Sequence, residues 1–159
     1  MDRWSVLKKG KSANVGDVAP AVALKGTFGP GLNLDDIKGE KRAVLIFYPE
    51  DCTSGCLDQL TRAGAVIEEF HELDAEVYGV NEASAESHQE FLDQLDSNVD
   101  LLVDENFGVS RAFDAMKDGQ ERIARTVVII GKNGNIIFRA AGAPPTDELL
   151  RVIANAKDS

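Results

Sequence analysis

Cysteine is scarce in this sequence: 159 residues carry only two, Cys52 and Cys56. Two thiols four residues apart cannot hold a fold together, so a disulfide scaffold is excluded. Stability must come from a core, and the 43% hydrophobic content supplies one. The length fits a single domain. Long apolar runs are missing too, and no stretch approaches the length of a membrane-spanning helix. Met1–Ser12 shows neither an apolar run nor a cleavage-site pattern, so no signal peptide is expected. These absences predict a soluble, cytoplasmic protein. Histidine is limited to His71 and His88, in different predicted elements and without ligand spacing to the cysteines, so no metal centre is expected. Positive charge is absent between Arg62 and Arg111, whereas that stretch is rich in Asp and Glu and the net charge is −10. Such a surface repels phosphate backbones and anionic lipid, which argues against nucleic-acid and membrane partners. It reads best as a solvated acidic face. There is no internal repeat and no low-complexity segment.

What is present concentrates around the cysteines. The apolar run Ala43-Val44-Leu45-Ile46-Phe47-Tyr48 reads as a buried strand. It is followed by Pro49-Glu50-Asp51-Cys52-Thr53-Ser54-Gly55-Cys56 and then by Leu57, Leu60, Ala63, Gly64, Ile67 and Phe70 at helical spacing. A strand therefore delivers both thiols to the start of a helix. Unpaired backbone N–H groups and the positive end of the helix dipole favour a thiolate there, and the thiolate is the reactive form. Redox chemistry is the leading expectation.

The remaining pattern is alternately β and α. Val18–Leu24 reads as a strand interrupted by Pro20, Gly26–Gly31 as a turn and Leu32–Gly39 as a connector. Glu76–Val80 and Leu101–Val103 read as strands. Ser84 can cap a helix whose apolar face is His88, Phe91, Leu92 and Leu95. Phe107–Met116 reads as helical. Thr126–Ile130 and Ile136–Arg139 flank Gly131-Lys132-Asn133-Gly134, a hairpin signal rather than a phosphate cradle, because no helix follows it directly. Thr146 is expected to cap a last helix, with Asp147 and Glu148 in its first turn. Early βα units imply parallel strands and the late hairpin an antiparallel edge, in an α/β fold.

Nearly the whole chain resembles the peroxiredoxins, most closely the bacterioferritin-comigratory-protein or Q type. The resemblance rests on five pieces in order. They are Val15-Gly16-Asp17-Val18-Ala19-Pro20; the connector Leu34–Gly39; Phe47-Tyr48-Pro49 with Thr53 and Cys56; Gly79-Val80 with Ser84, Ser87, His88 and Phe91; and Arg125 with Val128, Ile130, Gly134 and Ile136. It implies a thioredoxin-like fold, with residues 1–14 an N-terminal extension and 15–159 one domain. It also implies a thiol peroxidase without metal or organic cofactor. Cys56 takes the place of the peroxidatic cysteine, and Thr53 that of the hydroxyl residue bonding thiolate and peroxide. Pro49 takes the place of the residue shielding the thiolate from water. Arg125 takes the place of the arginine that stabilises the thiolate and polarises the peroxide. Gln59 stands where the family has Glu or Gln to orient that arginine. The implied partners are a peroxide and a thioredoxin-like or other thiol reductant, with the protein a monomer or homodimer.

The sequence departs from the family in its second thiol. Members of this type often carry a resolving cysteine five residues after the peroxidatic one, where this chain has Thr61. Cys52 is the remaining candidate, within the chain or between subunits, beside an external thiol. On a wound helix two residues four apart hold their Cβ atoms about 6 Å apart, and a disulfide needs roughly 3.8 Å. The first turn would have to loosen. The alternative activity is a thioredoxin-like dithiol–disulfide oxidoreductase using Cys52 and Cys56, although their spacing is not Cys-x-x-Cys. A non-catalytic binding module using the acidic face would leave Thr53, Cys56 and Arg125 unexplained.

Overall fold

A strand apolar at every position can lie only where both faces are covered. In a computed structural model of the chain, Arg42–Phe47 (β3) is accordingly the middle strand of a five-stranded sheet. The structure describes residues 13–27, 29–49, 54–84, 86 and 99–158, with the backbone alone at 54–57. A small antiparallel pair, Ala23–Leu24 (β1) and Leu32–Asn33 (β2), precedes the sheet and leads into Leu34–Ile37 (α1). Ala75–Asn81 (β4) lies parallel to β3, and Asp100–Val103 (β5) lies parallel to β4. On the other side Thr126–Ile130 (β6) runs antiparallel to β3, and Ile136–Ala141 (β7) pairs with β6. The order is β5-β4-β3-β6-β7, a parallel half joined to an antiparallel half, as the sequence pattern predicts.

Alternate β3 side chains enter two cores. Val44, Ile46 and Tyr48 pack with Leu60, Phe70, Leu149 and Ile153, which belong to helices Ser54–Ala65 (α2), Ile67–Glu72 (α3) and Thr146–Ala154 (α5). Ala43, Leu45 and Phe47 pack on the opposite face with Val22, Leu32, Phe113 and Ile123.

Four local expectations are corrected. The helical spacing from Leu57 to Phe70 is split at Val66, whose backbone leaves helical geometry after the weak helix former Gly64. Of Val18–Leu24 only Ala23–Leu24 enters a sheet; Val18 makes one bridge to Asn135, and Pro20 has no N–H for a ladder. The Phe107–Met116 helix shrinks to a turn at Glu105–Phe107 followed by Gly108–Ala112 (α4). The Asp104 carboxylate accepts from the N–H groups of Val109 and Ser110 at 2.9 and 2.7 Å, which starts the helix there. Asn106 and Phe107 are both left-handed, at φ 59°. Thr146 does not cap α5; it follows Pro145, which occupies the cap position and offers no side-chain acceptor. The expected helix with His88, Phe91, Leu92 and Leu95 lies outside the described residues.

At the entry end of β3, Arg42 locks the chain's last turn in place. Its Nε and Nη2 donate to the two Asp158 oxygens at 2.7 and 2.8 Å, and Nη1 donates to the Leu73 carbonyl at 2.6 Å. The Lys132 N–H adds a bond to Asp158 at 3.0 Å. The Arg42 hydrogen bonds hold the Asp158 carboxyl below its ordinary 3.8, against the opposing effect of burial. A carboxylate with a lowered folded pKa stabilises the fold above its unfolded value and loses that contribution as pH falls through the folded one. Asp158→Ala is therefore expected to lower stability by about 3 kcal/mol at neutral pH, since it strands a largely buried guanidinium. Urea titrations from neutral to acid pH check this. The wild type should converge on the variant as the pH drops below the ordinary carboxyl value.

Candidate active site

The chemistry-bearing positions gather where β3 ends. Phe47 pairs with Thr126 across the sheet, so Arg125, the residue before β6, stands beside the point where the chain leaves β3 through Tyr48 and Pro49. Tyr48 is fully buried and donates its N–H to the Val80 carbonyl at 3.2 Å; Pro49 is half-buried. The chain re-enters regular structure at α2, and Cys56 is the third residue of that helix. The helix places Cys56 in the first turn, where backbone N–H groups lack helical partners and the dipole favours an anion. No acidic residue occupies that first turn to oppose it. Cys52 and Thr53 lie outside the described residues.

Gln59 follows Cys56 by three positions, which is the same helical face. It is buried, and its Oε1 has no hydrogen-bond partner among the described residues. Gln59 and Arg125 line one cavity of about 170 Å³, shared with Arg62, Pro144, Pro145 and Thr146. The structure thus brings Gln59 and Arg125 onto one cavity, with Pro49 just past the end of β3 and the Cys56 backbone in the first turn of the helix that carries Gln59. The sequence reading missed the Pro144-Pro145 turn as a wall of this cavity, because it looked only like the approach to a helix. It also missed Asn81, whose fully buried amide donates to the Tyr48 carbonyl at 2.7 Å. A polar residue ending an apolar strand run was the available signal.

A larger cavity, about 650 Å³, opens at the opposite end of β4, between the β1–β2 pair and His71 of α3, and shares no residue with this site. Volume alone would select it, but no cysteine lines it. Among the described residues no group of His, Cys, Asp and Glu could hold a metal ion, and no helix is long and apolar enough to cross a membrane.

Comparison with known proteins shows the family. Residues 15–139 match the AhpC/TSA family. Peroxiredoxin Bcp of Bacillus subtilis is 35% identical over 150 residues, covering 91% of this chain and 95% of that protein. The chloroplastic peroxiredoxin Q of Sedum lineare is 30% identical over 147 residues, covering 89% of this chain and 78% of that one. A solved structure of Xanthomonas campestris peroxiredoxin Q superposes with a TM-score of 0.78 at 25% identity, over 89% of this chain and 99% of that one.

The buried support of the site depends on one glycine. A Cβ at Gly79 of β4 would lie 2.7 Å from Leu101 Cδ2 and 3.0 Å from the Tyr48 ring, with Leu60 of α2 at 3.5 Å. Those three side chains are buried and tightly packed. Gly79→Ala is expected to destabilise the fold by about 1–3 kcal/mol through overpacking, read as a lower urea midpoint. An unchanged midpoint would show that Tyr48 can shift freely.

Proposed function

We propose that this chain, which belongs to the AhpC/TSA family as a thiol peroxidase of the bacterioferritin-comigratory-protein or Q type, attacks peroxide with the thiolate of Cys56. The fold is the thioredoxin-like peroxiredoxin fold, with its mixed sheet, flanking helices and small N-terminal hairpin. The observation that supports the residue assignment is the Phe47–Thr126 pairing, which sets Arg125 beside the exit of β3, together with the cavity that Arg125 shares with Gln59 of α2.

The substrate class is hydrogen peroxide or a small organic hydroperoxide. The thiolate sulfur attacks the terminal peroxide oxygen and the O–O bond breaks. The other oxygen leaves with the bonding pair, takes up a proton and departs as water or alcohol. Cys56 becomes a sulfenic acid. Negative charge moves from sulfur onto the oxygens, so fixed donors aimed there lower the barrier. Arg125 supplies a charge that does not titrate, and Thr53 and the backbone N–H groups at the helix start supply neutral donors. The cavity that Gln59 shares with Arg125 supports a role for its free Oε1 in orienting that arginine when peroxide binds, and Pro49 shields the sulfur from water.

Cys52 then attacks the sulfenic sulfur, forming a disulfide and releasing water. A thioredoxin-like or other thiol reductant restores both thiols. The bond forms within one chain or between subunits, as a monomer or homodimer, once the first turn of α2 loosens. A reducing cytoplasm fits a chain that keeps both cysteines for chemistry.

Peroxide-consumption kinetics test this. Cys56→Ser should consume no peroxide; retention of most activity would overturn the assignment. Arg125→Ala should react with peroxide at least about tenfold more slowly, the loss of a charged donor at the reacting atoms. An unchanged second-order rate in the folded variant would remove Arg125 from the site. Cys52→Ser should react once at near wild-type rate and then turn over poorly with a thioredoxin-type reductant. Normal turnover would make this a one-cysteine enzyme.

A further inference from the structure

The parallel ladder between β3 and β4 ends in an unusual way. Tyr48 donates to the Val80 carbonyl, and in a continued parallel ladder the Tyr48 carbonyl would next accept from the backbone N–H of Glu82. The Asn81 side chain takes that place, its Nδ2 lying 2.7 Å from the Tyr48 oxygen. The same side chain turns β4 away, because its Oδ1 accepts from the Ala83 N–H at 2.8 Å. Its own carbonyl accepts from the Asp104 N–H at 2.8 Å, which ties the end of β5 to the same point. Asn81 is completely buried, where an amide is retained only with its bonds made.

We infer that Asn81 is a positioning residue for the peroxide reaction: its amide fixes the Tyr48–Pro49 peptide plane and thereby the Pro49 ring over the reacting sulfur. The Tyr48 oxygen and the Pro49 nitrogen belong to one rigid peptide unit, so holding the oxygen sets the plane from which the ring projects. The ring itself fixes the φ angle of Pro49. The Tyr48–Pro49 peptide at the end of β3 is therefore held by a hydrogen bond from another strand. Pro49 has no N–H with which to secure itself, which leaves the neighbouring carbonyl as the handle. This inference rests on the peroxidase reading of Cys56 and adds the residue that aligns its shield.

The chemistry separates alignment from mere stability. Peroxide must meet the sulfur and the fixed donors together, whereas iodoacetamide alkylation needs only an accessible thiolate. Asn81→Asp keeps the acceptor for Ala83 but replaces the donor facing Tyr48 with an oxygen. Asn81→Ala removes both. Arg42→Ala weakens the fold at the other end of β3 and serves as the stability control. The full chain carrying each substitution is checked for native circular dichroism and assayed with hydrogen peroxide and with iodoacetamide at one pH.

The expected result is a fall of about tenfold in the second-order peroxide rate for both Asn81 variants, with wild-type alkylation. The Arg42→Ala control should keep the wild-type peroxide rate. A wild-type peroxide rate in either folded Asn81 variant overturns the inference. So does a parallel loss of both reactions, or the same peroxide loss in Arg42→Ala, since each assigns Asn81 to stability alone. A wild-type protein that consumes no peroxide overturns the peroxidase reading itself, and a wild type that does, with Asn81 variants to match, overturns only the role of Asn81.

Discussion

The register that pairs Phe47 with Thr126 is the constraint on which the site depends. Antiparallel pairing places the end of β3 beside the beginning of β6, so Arg125 and the chain leaving toward α2 share one end of the sheet. β6 is buried on both faces, with Val127 and Ile129 in one core and Val128 and Ile130 in the other, so a slip of one residue would exchange the two sets and misfit both cores. Arg125 stands immediately before β6. That strand is paired on both sides, with β3 and with β7, which makes a firm anchor for the residue at its start.

The two ends of the sheet are built for different purposes. At the entry end, Arg42, Lys132 and Asp158 close the structure through charged hydrogen bonds among largely buried groups. At the exit end, the bonds run through neutral backbone and amide groups, Tyr48 to Val80, Asn81 to Tyr48 and Asp104 to Asn81. The chain's acidic residues add bulk charge, but none sits in the first turn of α2.

The strands were legible because burial on both faces leaves an unbroken apolar signature, as in Ala43–Tyr48, and because Lys132-Asn133-Gly134 supplies the positive φ a hairpin turn needs. For the candidate site, the strand-to-helix pattern points to Cys56, whereas Pro49, Gln59 and Arg125 rest on the family resemblance; of these the structure sets Gln59 and Arg125 on one cavity. Local patterns could not show where helices stop. Val66 breaks a continuous apolar spacing, and Asp104 starts α4 later than periodicity suggests by capturing two N–H groups. Asn81 was hidden for a different reason. Its value comes from a carbonyl on another strand, a partner that sequence spacing does not reveal.

The proposed chemistry has a single centre, Cys56 in the first turn of α2, and the most direct test is to catch its first oxidation product. Wild-type protein is given one equivalent of hydrogen peroxide with excess dimedone present from the start, then digested and mapped. The trapped fraction should carry dimedone on Cys56. An adduct on Cys52 alone, or two free thiols with the peroxide unconsumed, would overturn the assignment of Cys56 as the nucleophile.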